Sequence, residues 1–150
     1  MTIIDYVTEE VRRQGHNVHK PDGLMRVSWM LKAWCHALEH SDVIPSVAAA
    51  EDLGRMIEPV TNRYGFRTCR VTVGGHECPD PEVIQRQLVI LFEQQQELKP
   101  IEFYKAFETI HPFGDGNGRI GKVILNWLNH TLNDPIFPPN DLWGHPILNP

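Results

Sequence analysis

Residues 120–132 constrain the fold more tightly than any other part of the 150-residue chain. Ile120, Ile124, Trp127, Leu128 and Leu132 recur at helical spacing, and Val123 and Leu125 widen the apolar stripe until it covers most of the helix circumference. Such a helix needs other elements around it, so the pattern predicts a mainly α fold, a helical bundle around a buried central helix. Directly ahead of it runs His111-Pro112-Phe113-Gly114-Asp115-Gly116-Asn117-Gly118-Arg119-Ile120-Gly121-Lys122. An imidazole, a carboxylate, closely spaced glycines and two cations thus sit at the predicted helix start, near Asn117 or Gly118. Free N–H groups and the positive end of the helix dipole attract anions there, and glycine lets an anion approach the backbone closely. This is the composition of a phosphate-handling site.

Two familiar phosphate patterns overlap in the stretch. Gly116, Gly118 and Gly121 satisfy G-x-G-x-x-G, and residues 116–122 satisfy G-x-x-x-x-G-K, with Val123 where a P-loop needs Ser or Thr for its metal. Both folds require a strand before the loop. Phe103, Ala106, Phe107 and Ile110 instead follow i, i+3, i+4, i+7, with Lys105 and Glu108 on the other side. The order is helix, loop, helix, which argues against a Rossmann unit and a P-loop alike.

The stretch resembles the signature of the Fic (filamentation induced by cAMP) family, H-P-F-x-[D/E]-G-N-G-R-x-x-R. His111, Pro112, Phe113, Asp115, Gly116, Asn117, Gly118 and Arg119 match it position by position, and Lys122 stands where most members carry a second arginine. The resemblance implies one Fic-like domain over residues 1–150, with a motif core at about 66–132 and one β-hairpin flap against the helices. It also implies a protein adenylyltransferase, moving AMP from ATP to a Ser, Thr or Tyr hydroxyl of a target protein. His111 would be the general base, a task suited to an imidazole with an unperturbed pKa of about 6.5. Asp115 would hold Mg²⁺, a hard oxygen donor for a hard cation. Gly116, Asn117 and Gly118 would line the anion hole, Arg119 and Lys122 would face the nucleotide phosphates, and Phe113 would anchor the loop. Lysine is a point charge without the planar fork of arginine. Lys122 therefore implies a weaker hold on ATP, a different nucleotide or a degenerate enzyme.

Elsewhere the chain reads as helices with one exception. The first helix is expected from residue 2 or 3 to about 13, burying Ile3, Ile4, Val7 and Val11, with Glu9, Glu10, Arg12 and Arg13 as a solvated face. Pro21 opens a second helix with Leu24, Val27, Leu31, Trp34, Cys35 and Leu38 inward. Pro45-Ser46 opens a third, carrying Val47, Ala50, Leu53, Met56 and Ile57 and interrupted by Gly54. Asp80-Pro81 starts a fourth through about residue 98, with Gln94, Gln95 and Gln96 in solvent, and Pro100 begins the helix that delivers His111. The exception is 66–73, where Val71 and Val73 alternate with Arg70 and Thr72 ahead of a Gly74-Gly75 turn. Phe66, Arg67, Val71, Val73, Gly74 and Gly75 resemble the Fic flap, which implies that Arg70, Val71, Thr72 and Val73 dock a target-protein segment by strand pairing.

The remaining features narrow the setting. A net charge of −5 gives no footprint for nucleic acid. No apolar run approaches the roughly 18 residues of a membrane span. Cys35, Cys69 and Cys78 form no C-x-x-C pair and fit reduced thiols in a cytoplasm. His36 and His40, at i, i+4, lack a third ligand, and adjacent His76, Glu77 and Cys78 are poorly placed to converge on one ion. In the tail, Pro135, Pro138, Pro139, Pro146 and Pro150 forbid helix, while Ile136, Phe137, Leu142, Trp143 and Ile147 predict packing back on the body. The inhibitory [S/T]-x-x-x-E-[G/N] motif of many Fic proteins is not found: Ser46 to Glu51 is one residue too long, and Asp52 follows. An antitoxin-like inhibitor from a separate chain is left open. The rival readings are a catalytically silent Fic-fold binding module and a transferase using another nucleotide or a terminal phosphate.

Overall fold

A computed structural model of the protein describes residues 1–138. Six helices occur in them: α1 Ile3–Arg13, α2 Pro21–Glu39, α3 Val47–Ile57, α4 Ile84–Glu93, α5 Pro100–Ile110 and α6 Asn117–Leu128. Their starts follow local chemistry. Thr2 and Ser46 accept hydrogen bonds from the Asp5 and Ala49 amides as side-chain caps. Pro21 and Pro100 open α2 and α5, where a missing N–H costs nothing.

The central helix is α6, buried from Asn117 to Trp127 apart from Gly118. It packs on α5, α3 and α2, and α1 lies along it in three antiparallel rungs. Tyr6 is near Asn126, Glu10 pairs with Lys122, and the Gln14 side chain lies over Gly118. The helix stops at Leu128 rather than continuing to Leu132, because His130 is left-handed at φ 57°. Leu132 is still buried, and its carbonyl accepts from Trp34 Nε1 at 2.9 Å. Asn126 then ties the returning chain down: its Oδ1 accepts from the Ile136 amide at 2.8 Å and from Thr131 Oγ1 at 2.7 Å. Phe137 stacks on Tyr6 at 4.1 Å. The expected tail packing thus holds for Phe137; Ile136 is held through its backbone while its side chain is exposed, and Leu142, Trp143 and Ile147 lie outside the described residues.

Several faces are turned from the expected ones. On α1, Tyr6 and Glu10 are buried with Val7 and Val11, whereas Ile4 is exposed. On α2 the core positions are Met30, Ala33, Trp34 and Ala37, with Leu24 and Cys35 outside. Gly54 does not interrupt α3; it is buried mid-helix where the Phe113 ring fills the space a Cβ would need. The expected fourth helix is shorter, one 3-10 turn at Pro81–Val83 followed by α4. Beyond its end Gln95 is buried rather than solvated, donating to the Pro45 and Phe92 carbonyls at 2.9 and 2.8 Å.

The extended segment contracts to a short hairpin of β1 Thr72–Val73 and β2 His76–Glu77, antiparallel with Thr72 opposite Glu77 and Val73 opposite His76. Gly74 and Gly75, at φ 57° and 79°, supply the paired positive φ values of a tight two-residue hairpin turn. The Cys78 amide donates to the Val71 carbonyl at 3.1 Å. The described residues contain no third strand, so the hairpin carries open edges.

Candidate active site

Two left-handed residues bracket the loop between α5 and α6, His111 at φ 52° and Gly116 at φ 80°. Asn117, the first residue of α6, closes the loop on itself. Its Oδ1 accepts from the Phe113 amide at 2.8 Å and its Nδ2 donates to the Phe113 carbonyl at 2.9 Å. The Asn117 side chain therefore shapes the loop, and its backbone N–H is left to face an anion. The first i→i−4 bond of α6 runs from the Ile120 amide to the Gly116 carbonyl, so the N–H groups of Asn117, Gly118 and Arg119 have no intrahelical acceptor. Phe113 is fully buried, 5.3 Å from the Phe66 ring centre, and Asn62 Nδ2 donates to the Asp115 carbonyl at 2.9 Å.

His111 is half-buried, and its Nδ1 is enclosed without a hydrogen bond of ordinary geometry. Burial lowers its pKa below the usual 6.5, and the Arg67 cation adds to this; Asp115 and the Glu108 carbonyl oppose it. Burial thus favours the neutral, proton-accepting form of the imidazole.

The two cations of the motif are both engaged within the protein. Arg119 is 1% exposed, with Nη1 at 2.8 Å from Glu58 Oε2 and Nη2 at 3.6 Å from Asp115 Oδ1, while its buried Nε has no partner. Glu58, itself 3% exposed, also receives Arg26 Nε at 2.8 Å. Lys122 lies 2.9 Å from Glu10 Oε2 and 3.2 Å from the Tyr104 hydroxyl. Burial works against its charge, but Glu10, Tyr104 and Glu108 outweigh that and raise its pKa. The Glu108 carboxyl, also facing this cluster, is pushed up to about 7 by burial, with Lys122 opposing.

Asp115 is the exposed member of the site. Its Oδ1 accepts from the Gly116 amide at 2.7 Å. Among the described residues no three His, Cys, Asp or Glu side chains gather as a metal site. A lone accessible carboxylate still fits Mg²⁺, which is commonly held by one or two carboxylates together with phosphate oxygens and water. The structure thus brings together His111, Asp115, Gly116, Asn117, Gly118 and Arg119, and directs Lys122 into the ion pair with Glu10.

The hairpin adjoins the loop through Arg67, which is 5% exposed. Arg70, exposed, pairs with Asp80 at 3.2 Å; Thr72 is exposed, and Val71 and Val73 are half-buried. The His36 and His40 rings lie tilted, 4.3 Å apart, at the C-terminal end of α2, and among the described residues no third ligand joins them. Sequence reasoning missed Glu58, Gln14 and His16. The His16 ring lies in the field of Arg119 and Asp115, and burial, helped by Arg119 and Arg26, lowers its pKa. No local pattern marks these residues, because each reaches the loop only through tertiary packing.

A helical bundle whose central helix presents its N-terminus to a histidine-bearing loop is the class that fold and loop define. The family model of the Fic/DOC family matches residues 40–129, and the chain belongs to that family. A protein adenylyltransferase Fic of Nematostella vectensis is 37% identical over 84 residues, 49% of this chain and 19% of that protein. A probable protein adenylyltransferase of Aquifex aeolicus is 61% identical over 28 residues, 19% of this chain and 9% of that one. Among solved structures, Fic-1 of C. elegans superposes with a TM-score of 0.69 at 20% identity, over 88% of this chain and 49% of that one. The chain spans under a fifth of the length of these two adenylyltransferases and about half of the solved structure. Among the described residues no helix is long and apolar enough to cross a membrane.

Proposed function

We propose that this protein is an adenylyltransferase that moves AMP from ATP to a hydroxyl of a target protein. The observation that carries the reading is the pairing of a half-buried histidine, kept neutral by burial, with a glycine-lined helix N-terminus on the same short loop. His111 would take the hydroxyl proton as the oxygen attacks the α-phosphate; with Nδ1 enclosed, Nε2 is the atom left for this. The amides of Asn117, Gly118 and Arg119 would stabilise the charge that develops on the phosphate oxygens. Asp115 would hold Mg²⁺, which when bound supplies charge neutralisation on the phosphates. The open hairpin edge from Arg70 to Val73 would pair with an extended segment of the target. The names of the relatives support the same activity, and the free thiols of Cys35, Cys69 and Cys78 suit a cytoplasmic setting.

The test is incubation with Mg²⁺ and ATP labelled at the α- or γ-phosphate in lysate, beside His111→Ala. Protein label from α-labelled ATP only, absent in the variant, is expected. Label in the variant would sink the role of His111, and label from γ-labelled ATP would make the enzyme a kinase.

One observation favours a second reading, a silent binding module that uses the hairpin edge. Arg119 and Lys122 are both neutralised by protein carboxylates, Glu58 and Glu10. That reading predicts partner capture which survives His111→Ala and needs no Mg²⁺.

A further inference from the structure

Arg67 has an unusual set of partners. Its guanidinium donates to four backbone carbonyls: His111 at 2.6 Å, Pro79 at 2.7 Å, Cys69 at 2.8 Å and Ile110 at 3.1 Å. Its own amide donates to the Pro112 carbonyl at 2.9 Å. One residue therefore holds three successive carbonyls of the loop, at 110, 111 and 112. The other two carbonyls belong to the two stems of the hairpin, Cys69 before β1 and Pro79 after β2. Among the described residues no carboxylate is paired with this buried cation.

We propose that Arg67 is a positioning residue that locks both stems of the hairpin to the backbone of His111, so that the docking edge and the base move as one unit. The proposal rests on the transfer reading above, in which a hydroxyl held on the hairpin must meet the His111 ring. The left-handed φ of His111 is uncommon for a residue with a Cβ and persists where surrounding contacts over-determine it. Arg67 supplies those contacts at the carbonyl on either side and at His111 itself. Arginine alone among side chains has five donors in a fixed fork, enough to serve four acceptors in different directions. Lysine in its place keeps the charge and loses the fork. A shift of about 1 Å in a reacting group costs about a hundredfold in rate, so a loosened clamp should lower turnover while the helix N-terminus from Gly116 to Arg119, which Arg67 does not contact, keeps its hold on nucleotide.

The test is hydrogen exchange on Arg67→Lys, read peptide by peptide, together with steady-state transfer. Exchange in 68–79 and 110–113 should rise by about tenfold or more, the loss of one charge-assisted hydrogen bond, while α2 and α6 keep their protection. The kcat should fall by about a hundredfold, with the KM for nucleotide unchanged. Wild-type exchange in both segments, a uniform rise across the domain, or wild-type kcat would overturn the proposal. If the variant does not fold, the wild-type protein decides. The Arg67 amide, bound to Pro112, and the Cys78 amide, bound to Val71, should open with the same free energy, and two unrelated values would overturn the clamp. Hydrogen exchange needs no nucleotide, so failure of wild-type transfer would sink the enzyme reading while exchange still decided on Arg67.

Discussion

Glu58 Oε2 lies 2.8 Å from Arg119 Nη1, and both side chains are almost wholly withdrawn from solvent. Glu58 caps the C-terminal end of α3, so the first arginine of the motif is fixed by a helix some sixty positions earlier in the chain. The same carboxylate oxygen also receives Arg26 of α2 at 2.8 Å. Two helices and the anion loop therefore meet on one glutamate.

Removal of that glutamate should be severe. Glu58→Ala leaves Arg119 buried with only Asp115 at 3.6 Å, and breaking a buried pair costs about 3–5 kcal/mol. Urea denaturation should show a loss of this order. A loss under about 1 kcal/mol, the range of exposed pairs, would mean that solvent reaches the pair.

The Lys122–Glu10 pair gives a sharper test of what the departure from arginine means. Lys122→Met strands a buried Glu10, and Glu10→Leu strands a buried Lys122, so each single variant should lose about 3–5 kcal/mol. The double variant replaces both charges by apolar groups and should recover much of that loss, because replacing a buried pair is often neutral. A double-mutant cycle measures it. Additive losses would show that the two residues act independently.

What was legible in the sequence was contiguous. The loop motif lies in one run, and the apolar spacing on α6 identified the central helix because every face of it is covered. What was not legible arises between elements. Glu10 sits among Glu9, Arg12 and Arg13, and periodicity alone placed all four in solvent; only the approach of α1 to α6 turns Glu10 inward onto Lys122. Arg67 looked like part of an extended strand, yet no ladder forms there, and its role depends on a loop 44 residues later. The resemblance puts Asn117 in the anion hole, and no pattern in the sequence shows that its side chain also closes the loop.

The proposed role of His111 as base sets an expected pH dependence of transfer. A base acts in its neutral form, and here burial and Arg67 depress the pKa below 6.5. At pH 6.5 the group is therefore more neutral than a free imidazole, and the loss of activity on acidification is centred below 6.5. The acid limb of kcat/KM against pH, which reports the free enzyme, should have its midpoint under 6.5. A midpoint at or above that value would show that His111 is more solvated, or Asp115 more influential, than the structure has it.

Gly54 offers a test of how the loop is held from beneath. It lies inside α3, where glycine is normally a liability of about 1 kcal/mol against alanine. By propensity alone Gly54→Ala should stabilise the helix. Packing dictates the opposite sign. A Cβ at this position would overlap the edge of the Phe113 ring, coming within 2.8 Å of Cζ and 2.9 Å of Cδ1. Phe113 cannot yield easily, since it is fully buried, lies against Phe66, and has its own amide and carbonyl clamped by Asn117. Overpacking of this kind costs about 1–3 kcal/mol, which exceeds the propensity gain. Thermal denaturation should therefore show a net loss for Gly54→Ala, and Gly54→Ala with Phe113→Leu should recover part of it by making room. A stabilised single variant would mean that the ring has space to move, and with it the loop that carries His111.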